Sequence, residues 1–84
     1  MDAVMKMLAG KIGCDVHNFE VKEIIGELDF VSKQLYQMKD VKAMMLEMAQ
    51  TYKTDERLQK ATDQSYGEEY SAFLAEALEA FYQR

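Results

Sequence analysis

Between residues 19 and 37 the apolar side chains of Val21, Ile24, Ile25, Leu28, Val31 and Leu35 recur at intervals of three and four. That spacing lays them along one side of a helix, whereas a strand would need them at every second position. The chain contains no proline and its β-branched residues never gather into a run, so helices are expected throughout. Gly26 interrupts the stripe at a cost of about 1 kcal/mol relative to alanine and would permit a neighbouring helix to approach closely. Phe19, Phe30 and Tyr36 widen the apolar face.

The same periodicity predicts four further helices. The first covers residues 2–12, with Val4, Met5, Leu8, Ala9 and Ile12 on one side and Gly13 as its stop. The connector CDVHN follows, with Asn18 as cap of the long helix over 19–37 and Glu20 in its first turn. A third helix over 41–52, capped by Asp40, turns Val41, Met44, Met45, Met48 and Tyr52 inward, while Leu46 lies off that stripe. TDER opens a short fourth helix with Thr54 as cap, Asp55 and Glu56 at the positive end of the dipole, and Leu58 and Ala61 as its core contacts. In SYGEE, Ser65 and Glu68 have the spacing of a capping box for the last helix, whose stripe is Tyr70, Phe73, Leu74, Ala77, Leu78 and Phe81. Glu68, Glu69, Glu76 and Glu79 fall elsewhere on its wheel. The loops are short, and neither a repeat nor a flexible linker divides the chain.

A length of 84 residues suits one domain, residues 1–84, which buries only a modest share of its surface. An exposed apolar groove on so small a body would be stabilised by a ligand, by a dimer partner or by a neighbouring segment. Residues 1–42 carry six basic and seven acidic groups and residues 43–84 carry four and eight, for a net charge of −5. No basic stripe is available to neutralise phosphates, which argues against binding nucleic acid or an anionic membrane surface. No apolar run approaches the roughly 20 residues that span a bilayer, and MDAVMKMLAGKIG lacks the basic stretch and long apolar run of a secretory leader. The lone cysteine, Cys14, rules out an intramolecular disulfide and fits a reduced, cytoplasmic setting.

Chemistry-bearing motifs are sparse. CDVH brings a thiol, a carboxylate and an imidazole together, but the only histidine, His17, has no second cysteine–histidine pair with which to complete a tetrahedral metal site. Cys14 and His17 also lack an evident orienting partner and oxyanion donors. The pairs Asp55/Glu56 and Glu68/Glu69 sit at expected helix starts, where dipole electrostatics accounts for them, and the four glycines form no phosphate loop. The expectation is a protein that is not an enzyme and uses no cofactor or metal. Methionine is more informative: seven occur, and Met44, Met45 and Met48 fall within about one turn, with Tyr36, Tyr52, Tyr70 and Phe73 interleaved. Methionine-rich surfaces adapt to varied apolar partners, and an apolar wall with a few phenolic hydroxyls suits a large apolar ligand. Such a stripe is equally the ordinary signature of a core.

An ordered set of residues over 35–82 narrows the choice. Leu35-Tyr36, Met44, Leu46-Glu47-Met48, Tyr52, Asp55-Glu56-Arg57, Asp63, Gly67, Phe73-Leu74 and Glu76-Ala77 follow one another in a way that resembles the TipAS antibiotic-binding domain of MerR-type multidrug regulators. AGKIGCDVHNFEVKEII looks like the same family's short loop and capped helix start, which extends the resemblance back to residue 9. The resemblance implies an all-α fold, with about five short helices in a globin-like, TipAS-like orthogonal bundle around an apolar ligand cleft. It also implies reversible binding of thiopeptides or other large apolar antibiotics, as sensor or sequestering module in transcription regulation and multidrug recognition. The side chains expected to line the cleft are Phe30, Tyr36, Met44, Met48, Tyr52, Tyr70 and Phe73, several of which also serve the core.

Two departures from the family pattern bear on mechanism. The winged helix and dimerising coiled coil are missing and the N-terminal side is shorter, so DNA would be reached only through a separate domain. Some relatives capture thiopeptides with a cysteine in the loop after the aromatic pair; that loop here reads YQMKD, and Cys14 stands at a non-matching position. Binding is therefore expected to be non-covalent. The alternative reading is a helical interaction module that forms a homodimer through its methionine- and phenylalanine-bearing faces.

Overall fold

The computed structural model describes residues 2–83, and they fold into five helices: α1 (Asp2–Ala9), α2 (Phe19–Tyr36), α3 (Lys42–Thr54), α4 (Glu56–Tyr66) and α5 (Tyr70–Tyr82). The all-α, five-helix bundle expected from the periodicity is what forms. α5 is its centre. Tyr70, Ser71, Phe73, Leu74, Ala75, Ala77 and Leu78 are all buried, an arc of more than half the helix circumference. The small residues Ser71, Ala75 and Ala77 let neighbours approach closely, and α3 packs on α5 most extensively, with α2 and α4 alongside. α1 rests on α2 and α4. Val4 and Leu8 of α1, Val21, Ile24, Ile25 and Leu28 of α2, Val41 just before α3, and Met45 and Ala49 on α3 complete the core.

Several ends differ from the sequence expectation, each for a local reason. α1 stops at Ala9, and residues 10–13 form turns, with Lys11 N–H donating to Leu8 O and Cys14 N–H to Lys11 O, both at 2.9 Å. Gly13, at φ +93°, ends that run, and Ile12 still packs against the core. Asn18 caps α2 as expected, accepting from Glu20 N–H at 2.8 Å. Asp40 accepts from Lys42 N–H at 2.9 Å, although Val41 is the residue that precedes α3. Thr54 is not the cap of α4: it is the last residue of α3, and its hydroxyl donates to Gln50 O at 3.0 Å. Asp55 alone joins the two helices, its N–H donating to Thr51 O at 2.9 Å and its carboxylate accepting from Leu58 N–H at 3.1 Å.

The capping box at Ser65 and Glu68 does not form, because α4 continues through Tyr66 and the Ser65 hydroxyl donates back to Ala61 O at 3.1 Å. The start of α5 is capped instead from α4, where Asp63 accepts from Ser71 N–H at 2.8 Å. On α4 the inward face is half-buried Leu58 and buried Thr62, while Ala61 is exposed. On α2, Leu35 leaves the stripe and is 60% exposed, and Phe19, Phe30 and Tyr36 are exposed rather than additions to the core. Gly26 does face a neighbour: a β-carbon there would stand 3.8 Å from the Phe81 ring, ordinary contact distance.

α2 ends with Gln37 in the left-handed conformation (φ 54°, ψ 44°) and Met38 N–H donating to Lys33 O at 3.1 Å. That is the geometry in which glycine is favoured because it has no β-carbon to strain. Gln37→Gly is expected to raise stability by about 0.5–1 kcal/mol, read as a higher urea midpoint with unchanged slope; a lower midpoint would contradict the capping role. The Ser32 hydroxyl, fully buried in α2, has no hydrogen-bond partner among the described residues.

Candidate functional site

The residues expected to line a cleft are dispersed over three environments. Phe30 and Tyr36 are exposed on the outer face and the end of α2. Met44, Met48 and Tyr52 form one half-buried stripe along α3, packed against the core at four-residue spacing. Tyr70 and Phe73 are buried in α5. Of the seven, only Phe73 lines either of the two grooves described here, both open to solvent.

The larger groove, about 430 Å³, runs between α1 and α2 and is lined by Met7, Lys11, Glu20, Glu23, Ile24 and Glu27. Helical spacing places it. Met7 flanks the buried pair Val4 and Leu8 and is about half exposed, and Glu20, Glu23 and Glu27 border the edge of the α2 stripe where Ile24 emerges. Lys11 pairs with Glu20 across the groove; the contact raises the Lys11 ammonium above its ordinary value and lowers the Glu20 carboxyl below its own. The smaller groove, about 260 Å³, is lined by Ile12, Gly13, Cys14, Glu69, Ala72, Phe73 and Glu76. Glu69 stands at its edge in the left-handed conformation, φ 68°. Of the lining of the larger groove the apolar periodicity named only Ile24. A further trace in the sequence is the acidic three- and four-residue spacing of Glu20, Glu23 and Glu27.

Behind the α3 stripe is a cluster of tyrosines that fixes α1. Tyr66 and Tyr70 stack with ring centroids 4.8 Å apart. The Tyr66 hydroxyl donates to Asp2 Oδ1 at 2.7 Å, and the Tyr70 hydroxyl donates to Met5 O at 2.9 Å. The Tyr66 bond, helped by Lys6 at 3.2 Å, holds the Asp2 carboxyl below its usual range, and Asp2 in turn raises the Tyr66 phenol. Burial raises the Tyr70 phenol strongly. At the other end of α5 the Tyr82 hydroxyl donates to Asp29 Oδ1 at 2.6 Å. Burial, followed by that bond, raises the Tyr82 phenol. Asp29, which burial pushes up, is nevertheless kept low by Lys33 at 2.8 Å and by Tyr82.

Cys14 is exposed, and so is His17 near it, whose backbone N–H donates to Asp15 Oδ1 at 2.9 Å. Among the described residues no three histidine, cysteine or acidic side chains are grouped as metal ligands would be. No described helix is long and apolar enough to cross a membrane. The surface carries two grooves with mixed apolar and acidic linings and an apolar end to α2. A family model described as the TipAS antibiotic-recognition domain matches residues 1–81. No curated protein and no solved structure matches the chain.

Proposed function

The chain belongs to the TipAS antibiotic-recognition family, and on that premise we propose that it is a reversible small-molecule-binding domain, taking thiopeptides or other large apolar antibiotics. The observation that carries this reading is the family match over residues 1–81. The groove between α1 and α2 supports it, because about 430 Å³ falls within the range of roughly 300–1,000 Å³ usual for small-molecule sites. The half-buried stripe of Met44, Met48 and Tyr52 on α3 supports it as well, since α3 packs on the helix that carries Tyr70 and Phe73. In this proposal the domain is the sensing or sequestering part of a MerR-type regulator in the cytoplasm, and DNA is contacted only through a separate domain.

A ¹⁵N–¹H NMR titration with a thiopeptide and several unrelated apolar antibiotics tests it. Saturable shifts that cluster on one groove or on the α3 stripe are expected; an unchanged spectrum with every compound would end the reading. Intact mass after incubation with the thiopeptide is expected to stay that of the free protein. A persistent adduct would instead place covalent capture at Cys14, which lines the smaller groove beside Phe73. A second reading, a homodimer, is favoured by Phe30, Leu35, Tyr36 and Met38, which are 60%, 60%, 53% and 41% exposed around the end of α2. A sedimentation coefficient that rises with concentration would support it, and one independent of concentration would remove it.

A further inference from the structure

We propose that the corner where α2 ends and α3 begins is a docking surface for an acidic amphipathic helix of another protein. Docking there is independent of small-molecule binding, since none of the residues concerned lines either of the two grooves described. Leu35, Tyr36 and Met38 are 60%, 53% and 41% exposed at this corner. Leu35 stands seven residues after Leu28 and eleven after Ile24, so it continues the apolar stripe that α2 turns towards its neighbours. Ile24 and Leu28 are buried and Leu35 is not. α2 therefore carries its stripe past the helices that cover it. Met38 follows the left-handed Gln37. In a helix ending of this kind the residue at that place commonly packs on an apolar residue five or six positions earlier. Here those positions are Lys33 and Ser32, and Met38 is left open.

The charges around this apolar corner select its partner. Lys39 and Lys42 are exposed and make no ion pair with any described residue. Lys42 opens α3, where the helix dipole already leaves partial positive charge, and the first turn of α3 has no acidic side chain. Lys33 and Asp29 neutralise each other at 2.8 Å. Between residues 30 and 42 the only carboxylate is Asp40, which accepts from Lys42 N–H. The corner is thus positive on a chain whose net charge is −5. A basic segment is repelled there, and a neutral one gains nothing from the lysines. Nucleic acid needs a longer basic stripe than two lysines make. An anionic bilayer meets repulsion from the chain as a whole. A second copy seated by a two-fold axis on Leu35 and Met38 would set Lys39 and Lys42 against the same side chains of its partner. A helix with apolar residues at three- and four-residue spacing, flanked by carboxylates, covers Leu35 and Met38 and meets both ammonium groups.

A synthetic peptide with leucine at three- and four-residue spacing and glutamate and alanine between, titrated into the whole ¹⁵N-labelled chain, tests the proposal. The same peptide with every glutamate replaced by lysine, and vesicles of equal parts phosphatidylglycerol and phosphatidylcholine, are the parallel arms. Saturable NMR shifts clustered on residues 33–43 are expected with the acidic peptide, and binding of the lysine peptide weaker by about tenfold or more. Lys39→Glu combined with Lys42→Glu is expected to weaken the acidic peptide by about tenfold and to strengthen the lysine peptide, an exchange of preference that a merely structural role would not produce. Leu35→Ala combined with Met38→Ala is expected to abolish saturable binding. All four side chains are exposed, and circular dichroism of both variants confirms that they are folded. Equal binding of the two peptides, shifts on other elements, no binding in any arm, or an affinity unchanged in either folded variant overturns the proposal. Binding of the vesicles without the acidic peptide also overturns it and assigns the corner to a membrane surface. Self-association in sedimentation that Leu35→Ala with Met38→Ala removes overturns it in favour of a second copy.

Discussion

Leu74→Ala is expected to bring this domain to the edge of unfolding. Leu74 is fully buried on α5, the helix against which α2, α3 and α4 all pack. Truncation removes the transfer free energy of the side chain and leaves a cavity that three surrounding helices cannot collapse into together. For buried leucines the sum is about 3–5 kcal/mol. A domain of this length holds on the order of 4–12 kcal/mol in total, so the substitution consumes much of it. Urea melts followed by circular dichroism should show the midpoint falling by a third or more, or no folded baseline at all. Leu35→Ala removes the same atoms from a side chain that is 60% exposed and should change stability by no more than about 0.5 kcal/mol. Similar losses for the two variants would mean that α5 is not the organising helix.

Alkaline pH should unfold the protein cooperatively, and the tyrosines state the direction. Tyr70 and Tyr82 both have phenols raised above the ordinary value of 10.0, in each case chiefly by burial. Below pH about 10 the hydroxyls are protonated in both the folded and the unfolded chain, and the stability they confer is fully present. Above that pH the unfolded chain gives up both protons while the folded chain keeps them. Each group then lowers stability by about 1.4 kcal/mol per pH unit, and the two together by about 2.7. Tyrosinate absorbance and the helical signal should therefore change together in a single transition above pH about 10.5. Tyr82→Phe should make the fall with pH shallower, because only one buried phenol then contributes. Full tyrosine ionisation while the helices persist would show that both rings reach solvent without unfolding.

The fold was largely written in the apolar spacing. Val21, Ile24, Ile25 and Leu28, and Tyr70, Phe73, Leu74, Ala77 and Leu78, occupy the core that their period assigned to them. Spacing could not show where the stripes end. Leu35 continues the α2 pattern, but the body of the protein gives it no partner there, so it is exposed. The capping errors share one cause. Thr54 and Ser65 are good cap residues by type, yet a helix that still has packing partners runs past them, and each hydroxyl turns back to a carbonyl four residues earlier. The site was less legible than the core. Methionine and tyrosine content drew attention to α3 and α5, whereas the larger of the two grooves described lies between α1 and α2, with charged rims and one buried isoleucine. A groove between two elements depends on how they are juxtaposed, and the periodicity of either element alone does not encode that.

The hydrogen bonds that tie α1 to the tyrosine pair carry a consequence for the order in which the protein can assemble. Asp2 and Met5 are joined to Tyr66 and Tyr70, 64 and 65 residues further along the chain. On the ribosome α1 emerges before the other four helices described here, and an eight-residue helix is marginal in water by itself. Its partners leave the exit tunnel only after more than sixty further residues have been made. The first of these five helices to be synthesised thus cannot acquire its tethers until the start of α5 has emerged, and co-translational docking of α1 must wait for it.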